Sequence, residues 1–427
     1  MSVLEPCLVI GGCGFLGRHI VEALVARGIP VAVFDLVQRH FDTNIQFFTG
    51  DISDEVALAN AIRKSGAKAI YHTASPPALL PQHVYHKANV EGTKTVISAA
   101  TAHGVKYLIY TSSAGILFDG ADLIDADERL PPPVTPMDAY NGTKAIAEQL
   151  ILEANGKDGL KTVALRPSGI FGPGDRQGIV TAADAVKRGQ TKVQIGSNEN
   201  LTDWTYVGNV VKAHLLAHEK LANPDTRTRE EILSKPLPSV ALSTGERRIP
   251  TSAARPVGPA MIRPDNADEL EAAFTRPREL EERAFVRSKF DPLNPTAIEK
   301  EPVDPLRVDG QVFIITNGEP MYFWDFTHMF MLGFGAPVEH MDNPKFTFGK
   351  TVGWYLSWAA EVYCWLTNKP PTFTRTKVQY LCGTRYYNIE KARRVLGYEP
   401  DVGLKEGIEK TLEWWRSQQQ EAAKSKQ

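Results

Sequence analysis

The chain reads as an α/β protein built on a doubly wound parallel sheet, and three observations carry that expectation. Short apolar runs alternate with helical periodicity from residue 8 to residue 222. The first run turns through spaced glycines into a helix, and the second run ends in an acid. Such alternation packs helices on both faces of a parallel sheet.

Leu8-Val9-Ile10 is the first run, followed by Gly11-Gly12-Cys13-Gly14-Phe15-Leu16-Gly17 and a helical pattern carrying Ile20, Leu24 and Val25. The glycines recur as GxxGxxG rather than GxGxxG. Strand, glycine turn and helix together let backbone approach a pyrophosphate at a helix N-terminus. Glycines alone also make a simple tight turn, so the second strand matters. Val31–Asp35 supplies it, with Asp35 eighteen residues after Gly17. A carboxylate there meets the adenosine ribose hydroxyls, although a strand-end acid also serves as a turn cap. Its charge repels a 2′-phosphate, which favours NAD over NADP; Arg39, close by in sequence, tempers that preference. The sheet is therefore expected to be Rossmann-type, with Gly11, Gly14, Phe15, Leu16, Gly17 and Asp35 against the cofactor.

Ile45 to Phe48 continues as a third strand, and Asp51-Ile52 behind it is an expected adenine-edge contact. A helix follows over Glu55 to Lys64. Ala69 to His72 is a fourth strand, in which His72 reads as a core histidine rather than a ligand. One long helix is expected from Val84 to His103, then an apolar strand, Tyr107 to Ser113, ending in hydroxyls. Lys161 to Arg166 is the sixth strand. The turn-rich stretch Pro167 to Asp175 would cross the nicotinamide end of the site, which makes Pro167 a cofactor contact. Asp203 to Leu221 adds a further strand and helix.

Between Asn223 and Val308 the character changes: twelve of the chain's 29 prolines fall there, with many charges and no tryptophan or tyrosine. Such a stretch forms a core poorly and reads as a mobile insertion, with one helix expected over Asp268 to Phe285. Deleting Arg227 to Glu301 is expected to leave NAD binding intact. The division is thus 1–222 for the cofactor-binding unit and the start of a substrate lobe, 223–308 for the insertion, and 309–427 for the smaller C-terminal substrate lobe. That lobe opens on a strand (Gln311 to Thr316) and an aromatic-rich helix (Tyr322 to Leu332). Two helices, Ile389 to Leu396 and Leu404 to Gln418, close it, and the tail from Glu421 is expected to be disordered. Within it, 351–367 is apolar and aromatic, with Trp354, Trp358, Val362 and Trp365 on one helical face. Burial against a substrate pocket and contact with a membrane interface both fit that face.

Tyr140 and Lys144 lie four apart, so on a helix phenol and ammonium share a face. A phenol needs help to act as a base at neutral pH, and a nearby ammonium lowers its pKa by favouring the phenolate. Spacing does not decide the matter, because Tyr387 and Lys391 repeat it. Context does: Ser113, at the carboxyl end of the fifth strand, can hold a substrate oxygen while Tyr140 takes its proton. Tyr387 and Lys391 have no such strand or serine before them and are assigned to structure.

Composition narrows the alternatives. The 427 residues suffice for a large α/β unit with a second lobe, and a formal net charge of -2 gives nucleic acid no electrostatic footing. Four cysteines, Cys7, Cys13, Cys364 and Cys382, lie without a CxxC pair, which argues for a reducing compartment and against a structural zinc or other metal site. No secretory signal and no uncharged apolar run of membrane-spanning length are visible.

Taken together, GGCGFLG, Asp35, GDISD, the TSS ending at Ser113, DAYNGTKA, LRPSGIFGPGD and DWTYVGNVVKAHLLA resemble the extended short-chain dehydrogenase/reductase family. FIITNGEP, PTFTR and RYYNIEKARRVLGYEP extend the resemblance to its 3β-hydroxysteroid dehydrogenase branch, and within it to the sterol-4α-carboxylate 3-dehydrogenases (decarboxylating). Two departures stand out: Ile10 replaces the threonine that usually precedes the glycines, and the long insertion is unusual. The resemblance implies an oxidoreductase of sterol biosynthesis that oxidises a 3β-hydroxyl with NAD and releases the C4 carboxyl. Ser113, Tyr140 and Lys144 would be its catalytic set, with Tyr140 and Lys144 also touching the cofactor. It further implies a sterol partner, peripheral contact with the cytosolic face of the endoplasmic reticulum or a lipid droplet, association with other C4-demethylation enzymes, and a homodimer. A dehydrogenase of a 3β-hydroxysteroid or triterpenoid without the carboxylate, a nucleotide-sugar epimerase or dehydratase, and a cofactor-binding regulator remain alternatives.

Overall fold

Seven strands form one fully parallel sheet: β1 (Cys7–Ile10), β2 (Val31–Asp35), β3 (Gln46–Thr49), β4 (Ala69–His72), β5 (Tyr107–Thr111), β6 (Lys161–Pro167) and β7 (Gln311–Ile315). Their order is β3-β2-β1-β4-β5-β6-β7. The computed structural model describes residues 5–39, 45–77, 80–224, 226–228, 231, 232, 243, 244, 247, 248, 304, 306–342, 344–367, 369 and 373–424. The helix expected over Asp268 to Phe285, and most of the segment whose deletion is expected to spare NAD binding, lie outside them.

Alternation along the strands sorts the core into two halves, because successive side chains point to opposite faces. Cys7, Val9 and Val33 join one apolar cluster with α1 (Phe15–Ala26) and the helix Val207–Ala222. Leu8, Ile10, Ala32 and Phe34 join the other, with α2 (Glu55–Ser65), α3 (Gly92–Ala102) and α4 (Ala139–Glu153). Both faces are thus covered, and the sheet order reverses between β1 and β4. At that reversal the carboxyl ends of the strands open a crevice where ligands of such sheets bind.

The helix expected to run unbroken from Val84 to His103 is divided. A short turn, Gln82–Tyr85, passes through a π-helical stretch, His86–Glu91, before α3 begins. The wider π turn accommodates the buried Asn89 side chain, which donates to Thr143 Oγ1 at 3.0 Å and accepts from Ser75 Oγ at 3.0 Å.

The segment after residue 308 does not stand apart from the sheet: its first strand, β7, pairs with β6 from Gln311↔Val163 to Ile315↔Pro167. Beyond it, Phe171, Trp324, Phe326, Phe330, Leu404, Ile408 and Leu412 build a separate apolar cluster. Trp204 stacks on Phe326 there, with centroids 4.0 Å apart. The last helix runs Leu404–Lys424, so the chain expected to be disordered from Glu421 is helical for another turn.

The aromatic segment forms the helix Lys350–Leu366. Its buried residues are Gly353 and Ser357, and it packs against the helix Arg375–Cys382. Tyr355, Trp358, Tyr363, Trp365 and Leu366 stand exposed on the other side. Trp354 alone of the three tryptophans turns partly inward, under the Arg375 guanidinium 5.5 Å from its ring centroid. Among the described residues no helix is long and apolar enough to cross a membrane.

Candidate active site

The glycine turn holds its shape by close approach. Gly11 has φ +83°, and a Cβ there would lie 2.7 Å from the Ala74 backbone nitrogen. On Gly17 a Cβ would stand 2.1 Å from the Gly11 carbonyl oxygen. Only glycine fits either position. Gly14 precedes α1 and no side chain caps that helix, so the first amides, from Phe15 and Leu16, offer hydrogen bonds to an anion. Gly14 is exposed and the Phe15 ring half-buried, whereas the Leu16 side chain is in the core. A dinucleotide pyrophosphate fits this cradle.

Asp35 ends β2 and braces the turn: it accepts from the Cys13 amide at 2.9 Å and from the Leu36 amide at 2.7 Å. A carboxylate has about four acceptor positions, so lone pairs remain for ribose hydroxyls. Asp51 is otherwise engaged. It accepts from Lys87 at 2.8 Å and from the Ser53 amide and hydroxyl, and this pairing, Lys87 first, pulls its pKa down to about 2. Ile52 is buried, and a Cβ on Gly92 would strike it. Its side chain serves the core. Pro167, buried, closes β6 in register with Ile315.

α4 starts where its sequence says it should. Asp138 is extended (φ −154°) and accepts from the Asn141 amide at 2.8 Å, an N-cap that contributes about 1 kcal/mol. Two residues on, the half-buried Tyr140 hydrogen-bonds Ser113 and meets the Tyr85 ring edge to face at 5.8 Å. Ser113 lies just past β5, where it caps a short 3-10 turn by accepting from the Gly115 amide at 3.1 Å. Lys144 is buried one turn after Tyr140. Its ammonium donates to the Thr111 carbonyl at 2.7 Å and sits 4.7 Å over the Tyr110 ring. Serine, tyrosine and lysine thus converge at the carboxyl end of β5.

The electrostatics differ from expectation. The Tyr140 phenol is pushed up to about 12: burial is the main cause, Ser113 opposes it, and Asp138 and Tyr85 reinforce it. Lys144 was expected to lower that value. Instead its ammonium is turned onto the Thr111 carbonyl, and burial pushes its own pKa down to about 7. Glu148, the next turn of α4, partly restores it. That carboxylate is gripped by Arg166 on β6 through bonds of 2.9 and 2.6 Å.

His72 is a core residue: fully buried, bonded to Thr93 Oγ1 at 3.0 Å, and pushed down to about 3 by burial. Tyr387 and Lys391 are structural. The Tyr387 hydroxyl donates to the Ala114 carbonyl at 3.2 Å and Lys391 donates to Gln311 Oε1 at 2.7 Å. Among the described residues no cluster of metal-ligating side chains occurs.

Sequence reading missed four supporting residues. Glu148 was discoverable at helical spacing from Lys144. Asn89, Tyr85 and Tyr380 carry no local signal, because only the fold brings them to α4.

The family model of the 3-beta hydroxysteroid dehydrogenase/isomerase family matches residues 8–234, more than half of the chain. A sterol-4-alpha-carboxylate 3-dehydrogenase, decarboxylating, of Candida albicans is 35% identical over 422 residues, covering 96% of this chain and 97% of the relative. The Homo sapiens protein of the same name is 30% identical, covering 96% and 88%. An Arabidopsis thaliana 3beta-hydroxysteroid-dehydrogenase/decarboxylase is 30% identical, covering 97% and 81%. In fold, the chain is similar to the UDP-glucose 4-epimerase of Thermotoga maritima, with a TM-score of 0.60, 19% identity and coverage of 97% and 99%. The Thermus thermophilus UDP-glucose 4-epimerase solved with NAD gives 0.55, 19%, 96% and 99%. At such identities the epimerases speak for the fold alone. The sequence relatives extend over nearly the whole chain, insertion included, and the chain belongs to the 3-beta hydroxysteroid dehydrogenase/isomerase family.

Proposed function

We propose that this protein oxidises the 3β-hydroxyl of a 4α-carboxysterol to the 3-ketone with NAD and releases the C4 carboxyl as carbon dioxide, a step of sterol C4 demethylation. The observation that carries the reading is the meeting of Ser113, Tyr140 and Lys144 at the carboxyl end of β5, on the same edge of the sheet as the glycine turn that follows β1, with β4 between. Near-full-length relatives named for this reaction support the substrate class.

NAD, when bound, supplies the acceptor for the hydride leaving C3. Ser113 holds the substrate oxygen, and Tyr140, as phenolate, takes the hydroxyl proton. Lys144 would hold the nicotinamide ribose, and on leaving the Thr111 carbonyl its charge would assist the phenolate. The ketone places the C4 carboxylate β to a carbonyl. The bond from C4 to that carboxylate then breaks, its electron pair enters an enolate, carbon dioxide leaves, and C4 takes up a proton. Asp35 favours NAD over NADP by repelling a 2′-phosphate.

The exposed aromatic face of the helix Lys350–Leu366 supports docking on the cytosolic face of the endoplasmic reticulum, or on a lipid droplet. Its tryptophans and tyrosines suit the bilayer interface, and exposed Lys345, Lys350 and Lys369 near its ends suit anionic headgroups. Flotation with anionic vesicles tests this: Trp358→Ser with Trp365→Ser should leave the protein in solution, and unchanged flotation would refute it.

Purified protein with NAD and a 4α-carboxysterol is expected to give the decarboxylated 3-ketone. The absence of product with wild type, or full activity in Tyr140→Phe, would sink the mechanism. Preference for a sterol lacking the carboxylate would point to a dehydrogenase without decarboxylation.

A further inference from the structure

The N-terminus of α4 is tied to a residue far along the chain. The Tyr380 hydroxyl, on the helix Arg375–Cys382, donates to Asp138 Oδ2 at 3.0 Å and accepts from Asn141 Nδ2 at 2.7 Å. Asn141 Nδ2 also donates to Asp138 Oδ2 at 3.1 Å, which closes a three-membered polar clasp. Asn141 is buried, and a Cβ on Gly115 would come within 2.8 Å of its Oδ1, so the clasp also abuts the Ser113 turn. The Tyr380 ring is fixed independently of its hydroxyl: Phe118 lies at 5.3 Å, the Arg385 guanidinium at 4.7 Å, and Arg385 donates to the Tyr380 carbonyl at 2.9 Å.

We propose that Tyr380 is a positioning residue for the reaction, holding the Asp138 cap and with it Tyr140 in the geometry needed for proton transfer. This deepens the proposed function and rests on it. The groups facing the Tyr140 phenol are Asp138 from the approach to its own helix, Tyr85 from the turn before the π-helical stretch, Ser113 from the end of β5, and Tyr110 within the strand, while Lys144 is turned onto the Thr111 carbonyl. Of these, Asp138 is the fixed negative charge, and it opposes phenolate formation. A hydrogen bond from Tyr380 shares that charge. Removing the hydroxyl leaves Asp138 a stronger opponent and loosens the first turn of α4.

The test is Tyr380→Phe, which keeps the ring and its neighbours. Turnover of the 4α-carboxysterol is expected to fall about tenfold, the equivalent of one charge-assisted hydrogen bond, with the Kd for NAD unchanged. The rise of kcat with pH should move to higher pH, a change that mere loosening of the fold does not produce. Asp138→Asn keeps a capping side chain and removes the charge, so the rise should move to lower pH. In that background Tyr380→Phe should cost much less than in wild type. Wild-type kcat and pH profile in Tyr380→Phe, or strict additivity of the pair, would overturn the proposal. A readout without sterol separates it from the functional reading: amide exchange at Tyr140, Asn141 and Gly142 should quicken in Tyr380→Phe, even if wild type turns over no carboxysterol. Unchanged exchange there counts against the clasp alone.

Discussion

Two tyrosine–lysine pairs in this chain have the same spacing and opposite fates. Lys144 and Lys391 are both buried, both donate one strong hydrogen bond, and both lie over an aromatic ring, Tyr110 at 4.7 Å and Phe313 at 5.0 Å. The tyrosines make the difference. Tyr140 sits on a helix at the carboxyl end of a sheet strand, half-buried, with Ser113 on its hydroxyl. Tyr387 ends a short strand, Arg385–Tyr387, and its hydroxyl is closed off against the Ala114 carbonyl. A four-residue spacing therefore puts phenol and ammonium on one helical face at a strand end in the first pair, and splits them between a strand and a helix start in the second.

The two phenols are expected to differ most. Tyr140→Phe is expected to lower kcat by about 10²–10⁴, the usual range for a lost general base, while Tyr387→Phe should stay within a fewfold of wild type. Steady-state kinetics on the carboxysterol checks both. Because the free Tyr140 phenol stands at about 12, kcat/KM should climb with pH through the neutral and mildly alkaline range. A flat profile there would show that cofactor binding has already ionised it.

Next comes the carboxylate behind Lys144. Glu148→Gln leaves the Arg166 guanidinium buried without its charged partner and should cost about 3–5 kcal/mol in denaturant unfolding. It also removes the charge that supports the ammonium, so the Lys144 pKa should fall below about 7. NAD affinity at neutral pH would then drop and partly recover as pH is lowered and the lysine regains its proton. Calorimetric titration of NAD at several pH values shows whether it does.

Lys391→Met is expected to have a milder effect. It should leave NAD binding and turnover intact and cost about 1–3 kcal/mol of stability for the lost bond to Gln311. A loss of turnover matching that of Tyr140→Phe would mean that the second pair is not merely structural.

The smallest effect is expected at Asp51. Its folded pKa, about 2 against an ordinary 3.8, lies lower than in the unfolded chain. The stabilisation is therefore present above about 3.8 and lost as pH falls through about 2. The pair with Lys87 is largely solvent-exposed, so Lys87→Ala should cost no more than about 1 kcal/mol. Acid unfolding midpoints of the two proteins, compared at low and high salt, test it.

Much of the sheet was legible because its strands are short apolar runs and its helices keep a 3.6-residue period. The glycine turn, Asp35, Ser113, Tyr140 and Lys144 were legible as a pattern, since each motif is local and its order along the chain follows the strand order. The π turn was hidden, because the demand for it comes from Asn89 reaching Thr143 on another helix. The exposure of Trp358 and Trp365 was undecided for a similar reason: periodicity shows that an apolar face exists, not whether anything covers it.

Local sequence determined that strands, turns and a tyrosine–lysine helix would form. Backbone periodicity and glycine sterics act over a few residues and need no partner. Tertiary structure decided the rest: that Lys144 turns to Thr111 rather than to the phenol, that Glu148 is held by Arg166, and that Tyr380 reaches the cap of α4 across more than two hundred residues. Charges and hydrogen bonds between remote elements depend on distance and burial, and those exist only once the chain has packed.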